Sequence, residues 1–179
     1  HLVEKVVASG GVPVLLPPVS SGDLLKWLVE SVDAVIISGG AFDIHPRHYG
    51  QTQLNRLDRI EDERTQLELD LARCCIDNGI PVLGICGGMQ VMAVATGGSL
   101  IQDISSQISS SLEHEQPSDP SKPWHRVTLK TREMKEIYQR EIIEVNSTHH
   151  QSVCDPGIFS IAGIADDGVI EAIQYDDHP

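Results

Sequence analysis

The sequence predicts an α/β domain built around a mostly parallel sheet, and two patterns support this fold class. First, the short segments 12–18, 33–40 and 80–86 are apolar throughout, as buried strands of a parallel sheet are, and amphipathic helical segments separate them. Second, glycine-rich sequences end two of these strands, at 38–40 and 84–88. We therefore expect helices on both faces of the sheet and a ligand site at the carboxyl ends of its strands.

The first two elements of the chain end at glycine or proline, and a helix follows them. Residues 1–9 carry apolar side chains at helical spacing, and Gly10 and Gly11 stop this helix. Segment 12–18 predicts a short buried strand closed by two prolines. The next segment, 20–31, predicts an amphipathic helix whose inward side chains are Leu24, Leu25 and Leu28.

The central part of the chain predicts a strand, a long helix, a second strand and a glycine-led helix. Strand 33–40 ends in two glycines. Residues 62–78 form the long helix, with acidic residues in the first turn and Gly79 as the C-terminal stop. Strand 80–86 then leads directly into a helix that begins with Gly87 and Gly88.

The last third of the chain changes character. Residues 103–124 are polar and rich in Ser and Pro, and connections of this length are usually lids or disordered segments. Four short strand signals follow, the last of them after the turn Asp167-Gly168. They cover residues 125–130, 142–147, 158–164 and 169–175.

Length and charge limit the classes of protein and partner. The 179 residues fit one domain, 1–179, with a sizeable core. The 26 acidic residues outnumber 13 basic ones, and the net charge of −13 would repel nucleic acid and anionic membranes. No run approaches the roughly 18 apolar residues of a spanning helix, and no signal peptide is visible.

Cysteine usage indicates a reducing compartment. The four cysteines are Cys74, Cys75, Cys86 and Cys154. The adjacent Cys74 and Cys75 fit no zinc-ligand spacing, and nothing suggests a secreted disulfide framework. We therefore predict reduced thiols in a cytoplasmic protein.

Cys86 lies in the pattern G-x-C-x-G between a predicted strand and a predicted helix, which is the cysteine version of a nucleophile elbow. Such a sharp turn forces the nucleophile into a strained backbone conformation, and neighbouring glycines let the backbone pass closely. The N-terminus of the following helix would lower the pKa of the thiol and offer N–H groups to an oxyanion. The alternative is a buried, inert cysteine, which is a common fate of free Cys.

The neighbouring strand ends in Gly39 and Gly40, which fit either a plain tight turn or a functional one. In the functional interpretation, Gly40 donates a second backbone N–H to the same oxyanion. A cysteine hydrolase also needs a general base, normally a histidine. Among eight histidines, the pair His149-His150 follows a strand and is the best local candidate.

The segment HPRH at 45–48 could suggest a metal site. Pro46 disfavours a helical pair of ligands, and no acidic or cysteine ligands converge there. We therefore expect no metal, and we expect no other cofactor.

Six segments carry a resemblance that runs nearly from one end of the chain to the other. They are GGVPVLLPP, SGGAFDIHPRHYG, the R-x-x-x-E of Arg64 and Glu68, PVLGICGGMQVMAVATGGSLIQDI, VNSTHHQ and EAI. Together they resemble the class I glutamine amidotransferase superfamily, and within it the gamma-glutamyl-gamma-aminobutyrate hydrolase and gamma-glutamyl hydrolase type. The resemblance implies a three-layer, flavodoxin-like domain. It also implies a Cys-His-Glu hydrolase that cleaves gamma-glutamyl amide bonds through a thioester intermediate.

The resemblance further implies roles for the matching positions. Cys86 looks like the nucleophile, and the backbone N–H groups of Gly40 and Gly87 look like the oxyanion hole. Gln90 matches a glutamine that contacts the substrate. The NSTHHQ loop matches the loop that holds the α-carboxylate end of the glutamyl group. The resemblance therefore implies that His149, His150 and Gln151 bind the substrate.

The chain departs from the family pattern at several positions. Gly87 stands where such hydrolases commonly have Arg, and His45 and Thr65 stand where many have Asp, which leaves the choice of substrate open. The catalytic His and Glu of the superfamily lie in an H-P-E run on the strand after the EAI-like residues. His178-Pro179 falls where relatives have the turn before that strand, so we expect the base and its acid beyond Pro179 and the first strand before His1.

Three functions remain open on this sequence. The first is a free-standing hydrolase of a small-molecule gamma-glutamyl substrate, which the Ser-rich segment and the HHQ loop favour and which could form a homo-oligomer. The second is a glutaminase subunit that passes ammonia to a synthetase partner. The third is a non-catalytic binding member of the same fold.

Overall fold

The computed structural model describes residues 2–16, 22–55 and 57–176. The helices are α1 (Leu2–Ala8), α2 (Gly22–Glu30), α3 (Asp62–Asp77), α4 (Gly87–Ala95), α5 (Ile104–Gln107) and α6 (Arg132–Tyr138), with a 3₁₀ helix at Pro46–Tyr49. The strands are β1 (Val35–Ile37), β2 (Val82–Gly84), β3 (Ser99–Ile101), β4 (His125–Leu129), β5 (Ile142–Val145), β6 (Ser152–Asp155), β7 (Ser160–Ala165) and β8 (Ile170–Gln174). None of the described helices is long and apolar enough to cross a membrane.

The strands form two sheets of different kinds. β1 and β2 pair in parallel, with Ile37 opposite Gly84. The other six strands form one antiparallel sheet in the order β3-β6-β8-β7-β4-β5. The α/β class therefore holds, but the mostly parallel, flavodoxin-like sheet is not confirmed, because β1 and β2 are the only parallel pair of strands in the described ranges.

Local sequence explains why the larger sheet is antiparallel. Only residues 166–169 separate β7 from β8, and a parallel pair would need a crossover of about a dozen residues or more. Gly168 has φ +90°, so the turn predicted at Asp167-Gly168 is confirmed. β4 alternates buried and more accessible side chains, as an antiparallel strand with one face on the core does.

The predicted elements of the first half are mostly confirmed, with corrections. The strand expected over 12–18 is wrong for residues 12–16: they pair with no strand among the described residues, and Val12 is 88% exposed. An apolar segment becomes a strand only where another backbone can pair with it. In α2 the buried side chains are Leu25 and Val29, whereas Leu24 is exposed. Residues 17–21 lie outside the described part of the chain.

The apolar sequences of the two strands beside the elbow predicted that helices cover both of their faces. In the structure each of these strands has an exposed side. β1 buries Val35 and Ile37 but exposes Ile36, and Leu83 in the middle of β2 is also exposed. Their buried sides belong to a core that includes Val91 of α4 and Leu69 of α3. This core fixes the position of the N-terminus of α4, at which Cys86 lies.

The segment 103–124 is neither a free lid nor a structureless loop. It begins with α5 and buries His114 and Gln116. The N–H of His149 donates to the carbonyl of His114 (3.1 Å), and the N–H of Gln116 donates to the carbonyl of Ser147 (3.1 Å). These bonds attach the segment to the VNSTHHQ loop, so it forms a fixed wall beside the candidate site.

Candidate active site

The elbow has the strained backbone that its sequence predicts. Cys86 has φ +52° and ψ −112°, between the end of β2 and the first residue of α4. A positive φ is unusual for a residue with a Cβ and persists only where the surrounding structure enforces it. The N–H groups of Met89 and Gln90 donate to the carbonyl of Cys86, and this hydrogen bonding starts α4.

Close backbone contacts explain the glycines that surround Cys86. A Cβ on Gly88 would lie 2.0 Å from the carbonyl oxygen of Ile37, and one on Gly84 would lie 2.6 Å from the backbone of Gly88. A Cβ on Gly87 would instead make an ordinary contact, 3.6 Å from Gly39. The elbow thus requires glycine at 84 and 88, whereas position 87 has space for a side chain.

The two predicted oxyanion donors lie beside each other. A Cβ built on Gly87 would be 3.9 Å from the backbone nitrogen of Gly40, and one built on Gly39 would be 3.4 Å from Cys86 Sγ. The ends of β1 and β2 therefore bring the backbone of Gly40, the backbone of Gly87 and the thiol into one place. Such proximity is a precondition for an oxyanion hole, which needs two donors beside the nucleophile.

Arg64 holds the Gly39-Gly40 turn in place. Its guanidinium donates to the carbonyls of Ser38 (3.1 Å) and Gly39 (3.2 Å), pairs with Glu68 (2.7 Å), and lies 4.3 Å from the centre of the Phe42 ring. Burial raises the pKa of Glu68, although its contacts with Arg64 act in the opposite direction. The R-x-x-x-E pattern noted in the sequence thus stabilises the turn through Arg64, a role that the pattern alone did not reveal.

All seven predicted site residues line one cleft of about 490 Å³. They are Gly40, Cys86, Gly87, Gln90, His149, His150 and Gln151. Cys86 also borders a larger, mainly apolar groove of about 900 Å³ between β2 and the antiparallel sheet. We place the site in the smaller cleft, because Gly40 and Gly87 line it and do not line the groove.

The Cys86 thiol does not have the low pKa that its position at a helix N-terminus predicted. Cys86 is exposed at the rim of the cleft, yet the protein around its sulfur desolvates the thiolate and raises the pKa of Cys86. The N–H of Gly87 donates to the sulfur and lowers the pKa, but the nearby charge of Glu171 raises it further. The helix N-terminus therefore acts as predicted, but it is outweighed.

The two glutamines of the cleft serve different purposes. Gln90 is buried, and its amide donates to the carbonyl of Gln151 (2.8 Å), so it supports the loop. The Gln151 side-chain oxygen accepts from the N–H of Ile44 (3.0 Å). The Gln151 side-chain nitrogen is buried and has no hydrogen-bond partner among the described residues, which makes it a donor available to a bound ligand.

The two adjacent histidines are also held differently. His149 Nδ1 lies 3.0 Å from the carbonyl of Gln151. His150 Nε2 lies 2.6 Å from Asp43 Oδ1, and this hydrogen bond raises the pKa of His150 to about 9 despite partial burial. In the described part of the chain neither ring hydrogen-bonds to Cys86, so neither is placed as its general base. His178 and Pro179, considered as the start of an H-P-E run, lie outside the described residues.

Sequence reasoning missed a cluster of buried ionisable side chains beneath His149. His114 and His125 approach Glu171 Oε1 at 3.1 and 3.5 Å, and His149 approaches Glu171 Oε2 at 3.6 Å. Burial alone would raise the pKa of Glu171, but the surrounding histidines lower it to about 2. The three histidines come from segments far apart in sequence, so no local spacing signals the cluster.

Comparison with known proteins places the chain in a family. The family model of Peptidase C26 matches residues 1–179. The chain belongs to the Peptidase C26 family. Members of this family with curated descriptions include the gamma-glutamyl-gamma-aminobutyrate hydrolase of Escherichia coli O157:H7, which is 29% identical over 187 residues. That alignment covers 99% of this chain and 72% of the relative.

Another relative and a solved structure are similar to most of the chain. Protein NtpR of Enterococcus hirae is 30% identical over 175 residues, covering 96% of this chain and 72% of the relative. Among solved structures, a glutamine amidotransferase from Thermotoga maritima matches with a TM-score of 0.63 at 13% identity, covering 99% of this chain and 66% of that one. At such low identity this last match supports the fold alone.

Proposed function

We propose that the protein is a cysteine-dependent hydrolase of gamma-glutamyl amide bonds, with Cys86 as the nucleophile. The observation that carries this proposal is the convergence of Cys86, at φ +52°, with the backbone of Gly40 and Gly87 in one cleft. A strained nucleophile beside two backbone N–H groups is the arrangement used for acyl transfer. Membership of the Peptidase C26 family supports the same reaction class.

In the proposed reaction the Cys86 thiolate attacks the side-chain amide carbon of the gamma-glutamyl group. The carbonyl oxygen becomes an oxyanion that accepts hydrogen bonds from the N–H groups of Gly40 and Gly87. The C–N bond then breaks, the amine leaves with a proton, and a thioester remains on Cys86. Water hydrolyses this thioester to release glutamate and restore the thiol.

The proton transfers need a positioned acid/base, which no described histidine supplies by a hydrogen bond to Cys86. We assign this role to the His of an H-P-E run, oriented by its Glu, as the family resemblance implies. An imidazole near the sulfur would also offset the desolvation that raises the pKa of Cys86. An imidazole at hydrogen-bonding distance from the sulfur would therefore favour the thiolate.

The polar groups of the cleft suit the α-carbon end of a glutamyl group. The unpartnered side-chain nitrogen of Gln151 can donate to the α-carboxylate. The carboxylates of Asp58 and Glu115 line the same cleft and suit the α-ammonium group. His150 is already engaged by Asp43, so we assign it to the support of the loop and Gln151 to the direct contact.

A panel of gamma-glutamyl amides, including free glutamine, tests the proposal. The assay uses the full-length protein and measures glutamate and amine release. We expect release from at least one amide, with loss of at least about 10³-fold in Cys86→Ala. Equal activity in Cys86→Ala, or no release from any amide, would contradict a cysteine hydrolase of this class.

A further inference from the structure

The cluster around Glu171 has a geometry that the proposed hydrolysis does not use. His114 and His125 expose 2% and 5% of their side chains, and Glu171 exposes 13%. One ligand atom each from His114, His149 and Glu171 lies within 4.8 Å of the others. Three imidazoles thus surround one carboxylate in a largely dry place.

Three atoms at the centre of the cluster are buried without a hydrogen-bond partner among the described residues. They are His114 Nδ1, His125 Nε2 and Glu171 Oε1. Buried polar atoms without partners are rare, since each costs about 1–3 kcal/mol. The three orphan atoms lie next to one another, at 3.1 Å from His114 to Glu171 and 3.5 Å from His125 to Glu171. A cation bound by His114 and Glu171 would satisfy two of these atoms.

The outer nitrogens of two rings are held by acceptors. His114 Nε2 lies 3.0 Å from Asp167 Oδ2, and His149 Nδ1 lies 3.0 Å from the carbonyl oxygen of Gln151. The inner nitrogens, His114 Nδ1 and His149 Nε2, face the Glu171 carboxylate, which is also an acceptor. A metal ion that binds these nitrogens must therefore displace the protons between them and Glu171. Metal-binding histidines are oriented by such outer contacts.

We propose that His114, His149 and Glu171 bind a divalent transition-metal ion of the zinc class. A tetrahedral zinc site with bonds of about 2.0–2.1 Å has ligand atoms about 3.3 Å apart. His114 Nδ1 lies 3.1 Å from Glu171 Oε1, and His149 Nε2 lies 3.6 Å from Glu171 Oε2. Imidazole and carboxylate are ligands that zinc prefers.

The ligands come from three different segments, which assigns the metal a structural role. Three protein ligands leave the fourth position to water. The ion would join the segment 103–124, through His114, to the NSTHHQ loop and to β8. It would thereby stabilise the wall of the cleft.

Metal titration of the purified protein tests this proposal without reference to hydrolysis. The Cys86→Ala variant of the chain as encoded is freed of metal, and Zn²⁺ binding is measured by calorimetry and Co²⁺ binding by visible absorption. We expect one equivalent of Zn²⁺ with a dissociation constant below about 1 μM, and cobalt bands of a tetrahedral site without thiolate charge transfer. Absence of this binding would overturn the proposal.

Matched variants locate the ion. Glu171→Gln should weaken Zn²⁺ binding at least about 100-fold, and Asp167→Asn, which alters the outer contact of His114, by about 10–100-fold. His48→Gln, which alters a histidine paired with Asp62 elsewhere, should leave binding unchanged. If Glu171→Gln does not fold by circular dichroism, His149→Gln at the cleft surface replaces it. Undiminished binding in the folded ligand variant would overturn the assignment.

Discussion

At the scale of single residues, Cys86 is the proposed nucleophile, and its described surroundings hold it in the thiol form. Desolvation raises its pKa, the Gly87 N–H lowers it, and Glu171 raises it again. Among the other cysteines, Cys75 is buried and has a pKa of about 12 because of that burial. Exposure and pKa thus favour Cys86 over Cys75 for modification, although the pKa of the Cys86 thiol is itself raised.

Removal of the Glu171 charge should make Cys86 more reactive. In metal-free 179-residue protein, Glu171→Gln should lower the pKa of Cys86 and move the pH profile of its alkylation to lower pH, because a nearby negative charge opposes thiolate formation. Iodoacetamide labelling followed by peptide mass spectrometry measures this. Glu115→Gln, at another cleft carboxylate, is the control. An unshifted profile in Glu171→Gln would show that the two groups are not coupled.

Gly40 should tolerate no side chain if its N–H stabilises the oxyanion. A Cβ there would lie 2.6 Å from the Phe42 ring and 3.0 Å from Arg64, so Gly40→Ala must displace the turn. We expect turnover of the active chain to fall by about 10²–10³, the scale for loss of one oxyanion donor. Gly22→Ala, which meets open space, is the control for steady-state kinetics. Unchanged turnover in Gly40→Ala would make Gly40 an ordinary turn residue.

At the scale of elements, the elbow depends on how closely β1 and β2 approach the start of α4. Gly88 lies against the backbone of Ile37, and Arg64 of α3 holds the turn after β1. β1, α3 and α4 therefore fix the positions of Cys86 and of the backbone of Gly40 and Gly87. This is why a strained φ persists at Cys86.

A methyl group at Gly88 should be costly for folding. The Cβ of Gly88→Ala would stand 2.0 Å from a backbone oxygen that cannot move without shifting β1. We expect a loss of about 3 kcal/mol in the free energy of unfolding, at the upper end of ordinary overpacking. Urea denaturation of Gly88→Ala and of Gly22→Ala measures the difference. A loss below about 1 kcal/mol would contradict this packing.

The two loops that face each other across the cleft are joined by His150 and Asp43. Because the pKa of His150 is raised to about 9, its stabilising effect is complete below about pH 6.5 and is lost as the pH rises through about 9. Asp43→Asn should therefore cost about 2–3 kcal/mol at pH 6 and clearly less at pH 10. Asp58→Asn, at an exposed carboxylate 3.9 Å away, is the control. An equal cost at both pH values would contradict the ion pair.

At the scale of the whole molecule, the sequence predicted the elements around Cys86 better than the sheet that surrounds them. The helix expected over 62–78 is α3, and the elbow at Cys86 has the strained backbone that its glycines indicate. These features depend on local signals, namely helical period, glycine stops and a turn motif. Sequence patterns and family resemblance therefore identified seven residues that all line one cleft in the structure.

What the sequence did not predict depends on contacts between distant segments. Apolar character at 12–16 could not show whether another strand lies beside that segment. The Ser-rich composition of 103–124 hid His114, whose burial results from its contacts with Asp167 and Glu171. The pKa of Cys86 likewise depends on Glu171, which lies 85 positions away in the chain (171 − 86).

The most direct test of the central claim is detection of the acyl-enzyme on Cys86. The chain as encoded is mixed with a gamma-glutamyl amide, quenched in acid within the first turnover, digested, and analysed by mass spectrometry. We predict one gamma-glutamyl group on the peptide that contains Cys86, labile to hydroxylamine as a thioester is, and absent in Cys86→Ala. Turnover of the same amide with no acyl group on Cys86 under any quench time, or with the group on another residue, would contradict the account.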